Sequence, residues 1–133
     1  MYDNPLRQVI PRKPGTMIHV GHYNQFKDRM DEKNVVYIGR AMPRYKLKAS
    51  PLANPLKEKL YPDVWECISE YAKIIRYELS DLLVNNVGME IDRLKCIYEK
   101  HGELFLICWC KKVMDDDTPC HGDVIRDILK EME

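Results

Sequence analysis

The sequence predicts a small α/β domain in which a short, mostly parallel sheet is combined with about three main helices. Apolar segments of strand length occur over residues 16–23, 34–40 and 104–110. Helical segments separate the second strand from the third, and this order favours a parallel crossover. The length of 133 residues suits one domain with a buried core. We expect a Rossmann-like arrangement in two layers, or one that resembles three layers.

The first half of the chain is predicted to supply an arm and two strands. Residues 1–15 are polar and contain three prolines, so we interpret them as an N-terminal arm before a single domain over 16–133. In the first strand, apolar residues alternate with polar or small ones. Residues 24–33 are strongly charged and are expected to form a loop or one helical turn. The second strand is continuously apolar, which is typical of a strand covered on both faces.

The second half is predicted to supply a long loop, the main helices and the last strand. Residues 41–62 contain four prolines, which exclude a long helix, and we expect a packed loop over the strand ends. Asp63 is a suitable N-cap for a helix, with Glu66 completing a capping box. We expect this helix to end near Asn85, Asn86 and Gly88. The other helices are predicted over residues 89–101 and 123–132.

Charge is distributed unevenly, although the formal net charge is zero. Residues 1–60 contain 12 Lys and Arg against 5 Asp and Glu, whereas residues 61–133 contain 9 against 16. The basic half suits an anionic partner, unless the two halves neutralise each other in the fold. No apolar run approaches the ~20 residues of a membrane span. We therefore expect a cytoplasmic protein with reduced cysteines and no membrane partner.

The most informative residues lie at the end of the third strand and the start of the last helix. Cys108 and Cys110 end the strand, on the side opposite to Trp109, and Cys-His-Gly-Asp opens the helix at residues 120–123. Open α/β sheets bind ligands at the carboxyl ends of their strands, and helix N-termini attract anions. Gly122 is expected to let a ligand approach the backbone closely. These positions predict a site.

Three interpretations of these residues compete. Simple packing accounts for Cys108, because cysteine is among the most buried residue types. A structural zinc site is the second interpretation, although the spacing differs from the usual Cys-x-x-Cys pattern. Its ligands would be Cys108, Cys110, Cys120 and His121. The third is a small-molecule pocket contacted by Cys110, Cys120, His121 and Asp123, unless Asp123 is an ordinary residue of the first helical turn.

Residues that follow the second strand form the expected opposite wall of the pocket. Arg40 comes directly after the strand and Arg44 lies in the loop beyond it. If the second and third strands are parallel, both arginines lie at the edge that carries the Cys-His residues. A guanidinium there can bind a phosphate or carboxylate through two hydrogen bonds. Asn54 either recognises an amide or base edge or closes an Asx turn.

Four short motifs in this chain resemble those of an uncharacterised family of small bacterial and phage domains. They are Tyr-Ile-Gly-Arg at 37–40, Ser-Pro-Leu-Ala-Asn-Pro at 50–55, Cys-Trp-Cys at 108–110 and Cys-His-Gly-Asp at 120–123. The resemblance covers roughly residues 34–130. This chain differs from the family at Leu56, where the family often has Phe, and in a longer link between Cys110 and Cys120. It implies a shared site and supplies no activity.

The sequence thus favours a domain that binds a phosphorylated or nucleotide-like small molecule. A further hypothesis is that the domain chemically modifies this molecule. Arg40 and Arg44 would neutralise the anion, and Asn54 would orient the ligand. The catalytic candidates are Cys120, as a reactive thiol at a helix N-terminus, and His121, as a general acid or base. The alternative is a zinc-stapled protein-interaction module. A weaker alternative is nucleic-acid binding through the basic half, which lacks a recognisable motif.

Overall fold

The centre of the protein is a parallel sheet in which the last strand lies in the middle. The computed structural model describes residues 17–80, 85–109 and 120–132. Within these residues the strands are β1 (Met17–His22), β2 (Val35–Tyr37) and β3 (Glu103–Cys108). The strand order is β1-β3-β2, and β3 is parallel to both neighbours. The parallel pairing expected between the second and third strands is confirmed. The predicted arm lies outside the described residues.

Four α-helices accompany the sheet in the described part of the chain. They are α1 (Tyr23–Phe26), α2 (Val64–Ser80), α3 (Asn86–His101) and α4 (His121–Glu131). Three of them are long and one is a single turn, so the α/β class with about three main helices is confirmed. Within the described ranges, no helix is both long enough and apolar enough to cross a membrane.

The two faces of the sheet are buried in separate cores. Leu104 and Leu106 of β3 belong to the main core, which α2, α3 and α4 cover. Phe105 and Ile107 belong to a smaller core beneath α1 and the turn that follows it, where Phe26 packs. Because alternate side chains of a strand point to opposite faces, the continuous apolar run of β3 fills both cores.

Capping residues explain where the helices begin, and they correct one expectation. Asp63 accepts a hydrogen bond from the Glu66 backbone N–H at 2.9 Å, as expected of an N-cap. Asn85 was expected to end the preceding helix, but it caps the start of α3 by accepting from the Gly88 N–H at 2.8 Å. Asparagine is favoured at both ends of helices, so its identity alone did not distinguish them.

The proline-rich segment between β2 and α2 is a packed loop, as expected. It contains one-turn 3-10 helices at Pro43–Tyr45 and Glu58–Leu60. Leu52 is completely buried, and the Tyr71 hydroxyl of α2 donates to its backbone carbonyl at 2.6 Å. This bond attaches the loop to the main core, and the loop forms one wall of the site.

Candidate functional site

A pocket of about 380 Å³ opens at the carboxyl ends of β2 and β3. One wall comes from β2 and the loop after it, and the other comes from the end of β3 and the start of α4. The described residues that line it are Tyr37, Gly39, Arg40, Met42, Asn54, Leu56, Cys108, Trp109 and His121. The pocket thus brings together residues of all four sequence motifs, at the carboxyl ends of the strands, where a site was expected.

Arg40 is both a wall of the pocket and a clamp for the loop. Its Nε donates to the Asn54 carbonyl at 2.8 Å, and its Nη2 donates to the carbonyl of Leu56. The Arg40 carbonyl in turn accepts from the Tyr37 hydroxyl at 2.6 Å. None of the ion pairs found among the described residues involves Arg40. Its guanidinium is therefore oriented by backbone carbonyls rather than by a described carboxylate.

The other two residues expected to bind the ligand beside Arg40 differ in position: Asn54 lines the pocket, and Arg44 is not among its described lining residues. Arg44 is exposed in the 3-10 turn, with its guanidinium 5.7 Å from the Tyr45 ring centre, and is not among the described lining residues. Asn54 lines the pocket, but its Oδ1 accepts from the Leu56 N–H at 2.9 Å and closes a turn. Its Nδ2 lies 3.7 Å from Sγ of Cys67. Both ends of the Asn54 amide thus bind within the protein.

Two cysteines and one histidine meet behind the pocket. Sγ of Cys108 lies 3.0 Å from Sγ of Cys120, which is 3.9 Å from Nδ1 of His121. All three residues are buried, and each offers one ligand atom within 4.8 Å of the other two. Cys108 and His121 also line the pocket. Cys110, the fourth expected ligand, lies outside the described residues.

The tautomer of His121 follows from its hydrogen bond to the backbone. Nε2 lies 2.8 Å from the carbonyl oxygen of Ile38, just beyond β2. A carbonyl can only accept, so Nε2 carries the hydrogen, and in the neutral ring the Nδ1 lone pair lies on the side of Cys120. The ring edge also packs against Tyr71, with centres 5.3 Å apart. His121 is thereby fixed in position and tautomer.

Helix α4 begins with a capping box in which cysteine has the role usually taken by serine or threonine. Sγ of Cys120 accepts from the Gly122 N–H at 3.3 Å, and Asp123 Oδ2 accepts from the Cys120 N–H at 3.1 Å. The other Asp123 oxygen binds Arg126 at 3.1 Å. Because Cys120 is the cap, α4 starts two residues earlier than predicted. Asp123 is a residue of the first helical turn and is not among the described lining residues.

Gly122 packs closely against the sheet at the start of α4. A β-carbon at this position would lie 2.7 Å from Cγ1 of Val20 and 3.1 Å from Cδ1 of Ile38. The missing side chain lets α4 approach the sheet closely. Its backbone therefore faces the main core, and Gly122 is not among the described residues of the pocket.

Aromatic rings near the pocket were not expected from the sequence. The Trp109 ring packs against Tyr23 and Tyr45, with centres 4.9 and 5.1 Å apart. Its Nε1 is buried and has no hydrogen-bond partner among the described residues. Cys108 packs in the main core and Trp109 lies on the other side, as strand alternation suggested, yet both reach the pocket because it lies beyond the strand end. The apolar residues Tyr37, Met42 and Leu56 also line the pocket, close in sequence to Arg40 and Asn54.

Comparison with known proteins supports the resemblance inferred from the motifs. The family model described as a domain of unknown function, DUF4326, matches residues 22–131. No curated protein and no solved structure matches the chain. The matched segment contains all four motifs and every described residue of the pocket. The chain therefore belongs to the DUF4326 family.

Proposed function

We propose that this domain binds a small anionic molecule, phosphorylated or nucleotide-like, in the pocket at the carboxyl ends of β2 and β3. The observation that carries the proposal is the composition of the described lining, which includes the guanidinium of Arg40 and no acidic residue. The volume of about 380 Å³ lies within the range of small-molecule sites. A ligand with one anionic group and one ring would match this combination.

Arg40 is the proposed anion-binding residue. A guanidinium has five N–H groups, and two atoms of Arg40 are used to hold loop carbonyls. Because these bonds fix the plane of the guanidinium in advance, little side-chain entropy is lost when the remaining N–H groups bind a ligand oxygen. A phosphate or carboxylate would thus meet an oriented cation.

The ring part of the ligand is supported by the aromatic lining. Tyr37 and Trp109 both line the pocket, and flat aromatic faces stack on nucleobases with little dependence on base identity. Asn54 is proposed to shape the pocket rather than to recognise the ligand, because its amide already holds the loop. The proposal is one of binding and gives no catalytic step to Cys120 or His121.

Calorimetric titration with AMP, adenosine and inorganic phosphate tests this function. We expect AMP to bind more tightly than uncharged adenosine. Arg40→Gln retains an amide donor for a loop carbonyl and removes the charge, so AMP affinity should fall about 10- to 100-fold. Arg44→Ala is the matched control, since Arg44 is exposed outside the described lining, and it should bind as the wild type does.

Two outcomes would reject the proposed function. One is equal affinity for AMP in wild-type protein and Arg40→Gln. The other is the absence of binding for every anion of the panel, which would be extended to ADP and pyrophosphate. Circular dichroism spectra of both variants would establish that the loss of binding does not reflect unfolding.

A further inference from the structure

We infer that Cys108, Cys120 and His121 bind a zinc ion at the floor of the pocket, with its fourth coordination position turned toward the pocket. The three side chains come from the end of β3 and the start of α4, so the metal would join a strand to a helix. Two thiolates and one imidazole are the ligand types that zinc prefers. Three protein ligands with one open position are typical of catalytic rather than structural zinc sites.

Two distances between the ligand atoms can be compared with those of a zinc site. With Zn–S bonds of about 2.3 Å, two sulfur ligands in a tetrahedral site lie about 3.8 Å apart. The sulfurs of Cys108 and Cys120 are 3.0 Å apart, so zinc binding would separate them slightly. Cys120 Sγ and His121 Nδ1, at 3.9 Å, are near the spacing that zinc requires.

The groups around the three ligands are those expected near a metal. Metal-binding histidines usually donate their other N–H to a carbonyl or carboxylate, which fixes the ring. His121 does this through Nε2 to Ile38, so Nδ1 is the ligand atom. The Gly122 N–H donates to Sγ of Cys120 at 3.3 Å. This hydrogen bond fixes the position of the Cys120 sulfur at the start of α4.

A zinc ion in this buried cluster would also be balanced in charge. Zinc binding releases the thiol protons, and Zn²⁺ then offsets the charge of the two thiolates. Cys108 and His121 line the pocket, but Cys120 is not among the described lining residues. A metal among the three would thus have Cys120 behind it and the pocket in front. The identity of the ligand at the fourth position, an anionic group, rests on the proposed function, whereas the metal site itself does not.

Metal analysis of the purified protein tests the site directly. We expect about one zinc per chain by mass spectrometry of the metal, and loss of zinc in Cys120→Ser and His121→Gln. Cys96→Ser is the matched thiol control, because Cys96 is exposed on α3, and it should retain zinc. Because a buried variant can fail to fold, wild-type protein stripped with a chelator is also titrated with Zn²⁺. Folded wild-type protein that neither contains nor takes up zinc would overturn the inference.

Cobalt substitution tests the open position. Co²⁺ bound by two thiolates gives a charge-transfer band, and its visible spectrum reports the coordination geometry. We expect Cys110→Ser to leave this spectrum and the metal content unchanged, and added azide to alter the visible bands. Loss of metal in Cys110→Ser, or a visible spectrum that azide does not change, would indicate a site with four protein ligands. Either result would overturn the inference of an open coordination position.

The zinc site and the proposed function can be tested separately. Arg40→Gln should lose AMP affinity with its zinc intact, because Arg40 is not a ligand of the cluster. Zinc without AMP binding would reject only the proposed function. AMP binding by a protein that cannot take up zinc would reject only the metal site.

Discussion

Gly122 and Val20 approach so closely that a β-carbon on the glycine would lie 2.7 Å from Cγ1 of the valine. Gly122 is in the first turn of α4, and Val20 is in β1. Their contact sets how near the start of α4 comes to the sheet. The positions of Cys120 and His121 relative to the end of β3 therefore depend on it.

We predict that Gly122→Ala destabilises the protein by about 1–3 kcal/mol, because the added methyl group overpacks the contact with Val20. Urea denaturation measures the loss. In the double variant Gly122→Ala/Val20→Ala, the smaller side chain at position 20 should relieve part of the overpacking. The losses of unfolding free energy in the two single variants should therefore not add. Additive effects would contradict the proposed contact.

Gly88 provides a control of opposite sign. Among the described residues, its added β-carbon would meet only Oδ1 of Asn85, at 3.4 Å, and its N–H bond to Asn85 would remain. Because alanine is a better helix former than glycine, Gly88→Ala should leave stability unchanged or raise it by up to about 1 kcal/mol.

The hydrogen bond from Tyr71 to the Leu52 carbonyl gives a second prediction. Tyr71→Phe leaves this buried carbonyl without that donor and should cost about 1–3 kcal/mol in unfolding free energy. Hydrogen exchange in residues 50–57 should accelerate at the same time, since the loop loses its attachment to α2. Tyr77→Phe, at an exposed position of the same helix, should change stability by less than about 0.5 kcal/mol.

Oxidation gives a third prediction. In metal-free protein, diamide should join Cys108 and Cys120, whose sulfurs need to approach by only about 1 Å to form an S–S bond. Each thiol gives up one proton and one electron to diamide, which becomes the hydrazine, and the protein mass falls by about 2 Da. Bound zinc should slow the reaction. Peptide mapping that finds either cysteine paired elsewhere would contradict the prediction.

The ion pair between α2 and α4 predicts a pH effect. Arg76 donates two hydrogen bonds to Glu131, and these bonds lower the pKa of Glu131 below its ordinary value of 4.5. A carboxyl group with a lowered folded-state pKa stabilises the fold above its unfolded pKa, and this contribution disappears as pH falls through the folded value. Arg76→Gln should therefore lower the urea midpoint near pH 7 and have almost no effect near pH 2. The effect should be small, because both side chains are about half exposed.

The strands and their parallel pairing could be predicted because apolar periodicity and chain order carry that information. The central place of β3 could not. Its apolar run from Leu104 to Ile107 indicated burial on both faces, which the second strand also suggested. Only the pairing of β1 with β3 shows that β2 lies at an edge of the described sheet. Such pairing depends on packing between distant segments, which local patterns do not encode.

The location of the site could be predicted, but the role of each of its residues could not. Strand ends located Arg40 and Cys108 at one edge, since parallel strands end together. The exposure of Arg44 follows from its 3-10 turn, and the packing of Gly122 follows from the approach of α4. Both depend on side-chain directions outside regular strands. The place of Trp109 in the pocket could not be predicted, because its aromatic neighbours Tyr23 and Tyr45 come from distant parts of the chain.

The central position of β3 also has a consequence for how the chain folds. In the described sheet, β1 and β2 both pair with β3, and Met17 is aligned with Glu103. During synthesis, neither outer strand can complete its ladder until Glu103–Cys108 has left the ribosome. Pairing between segments so distant in sequence is slow, so β1 and β2 remain unpaired with β3 until that strand has been synthesised. The pocket would therefore form only after β3 and the start of α4 have been synthesised, and a chain interrupted before β3 would lack the central strand of the described sheet.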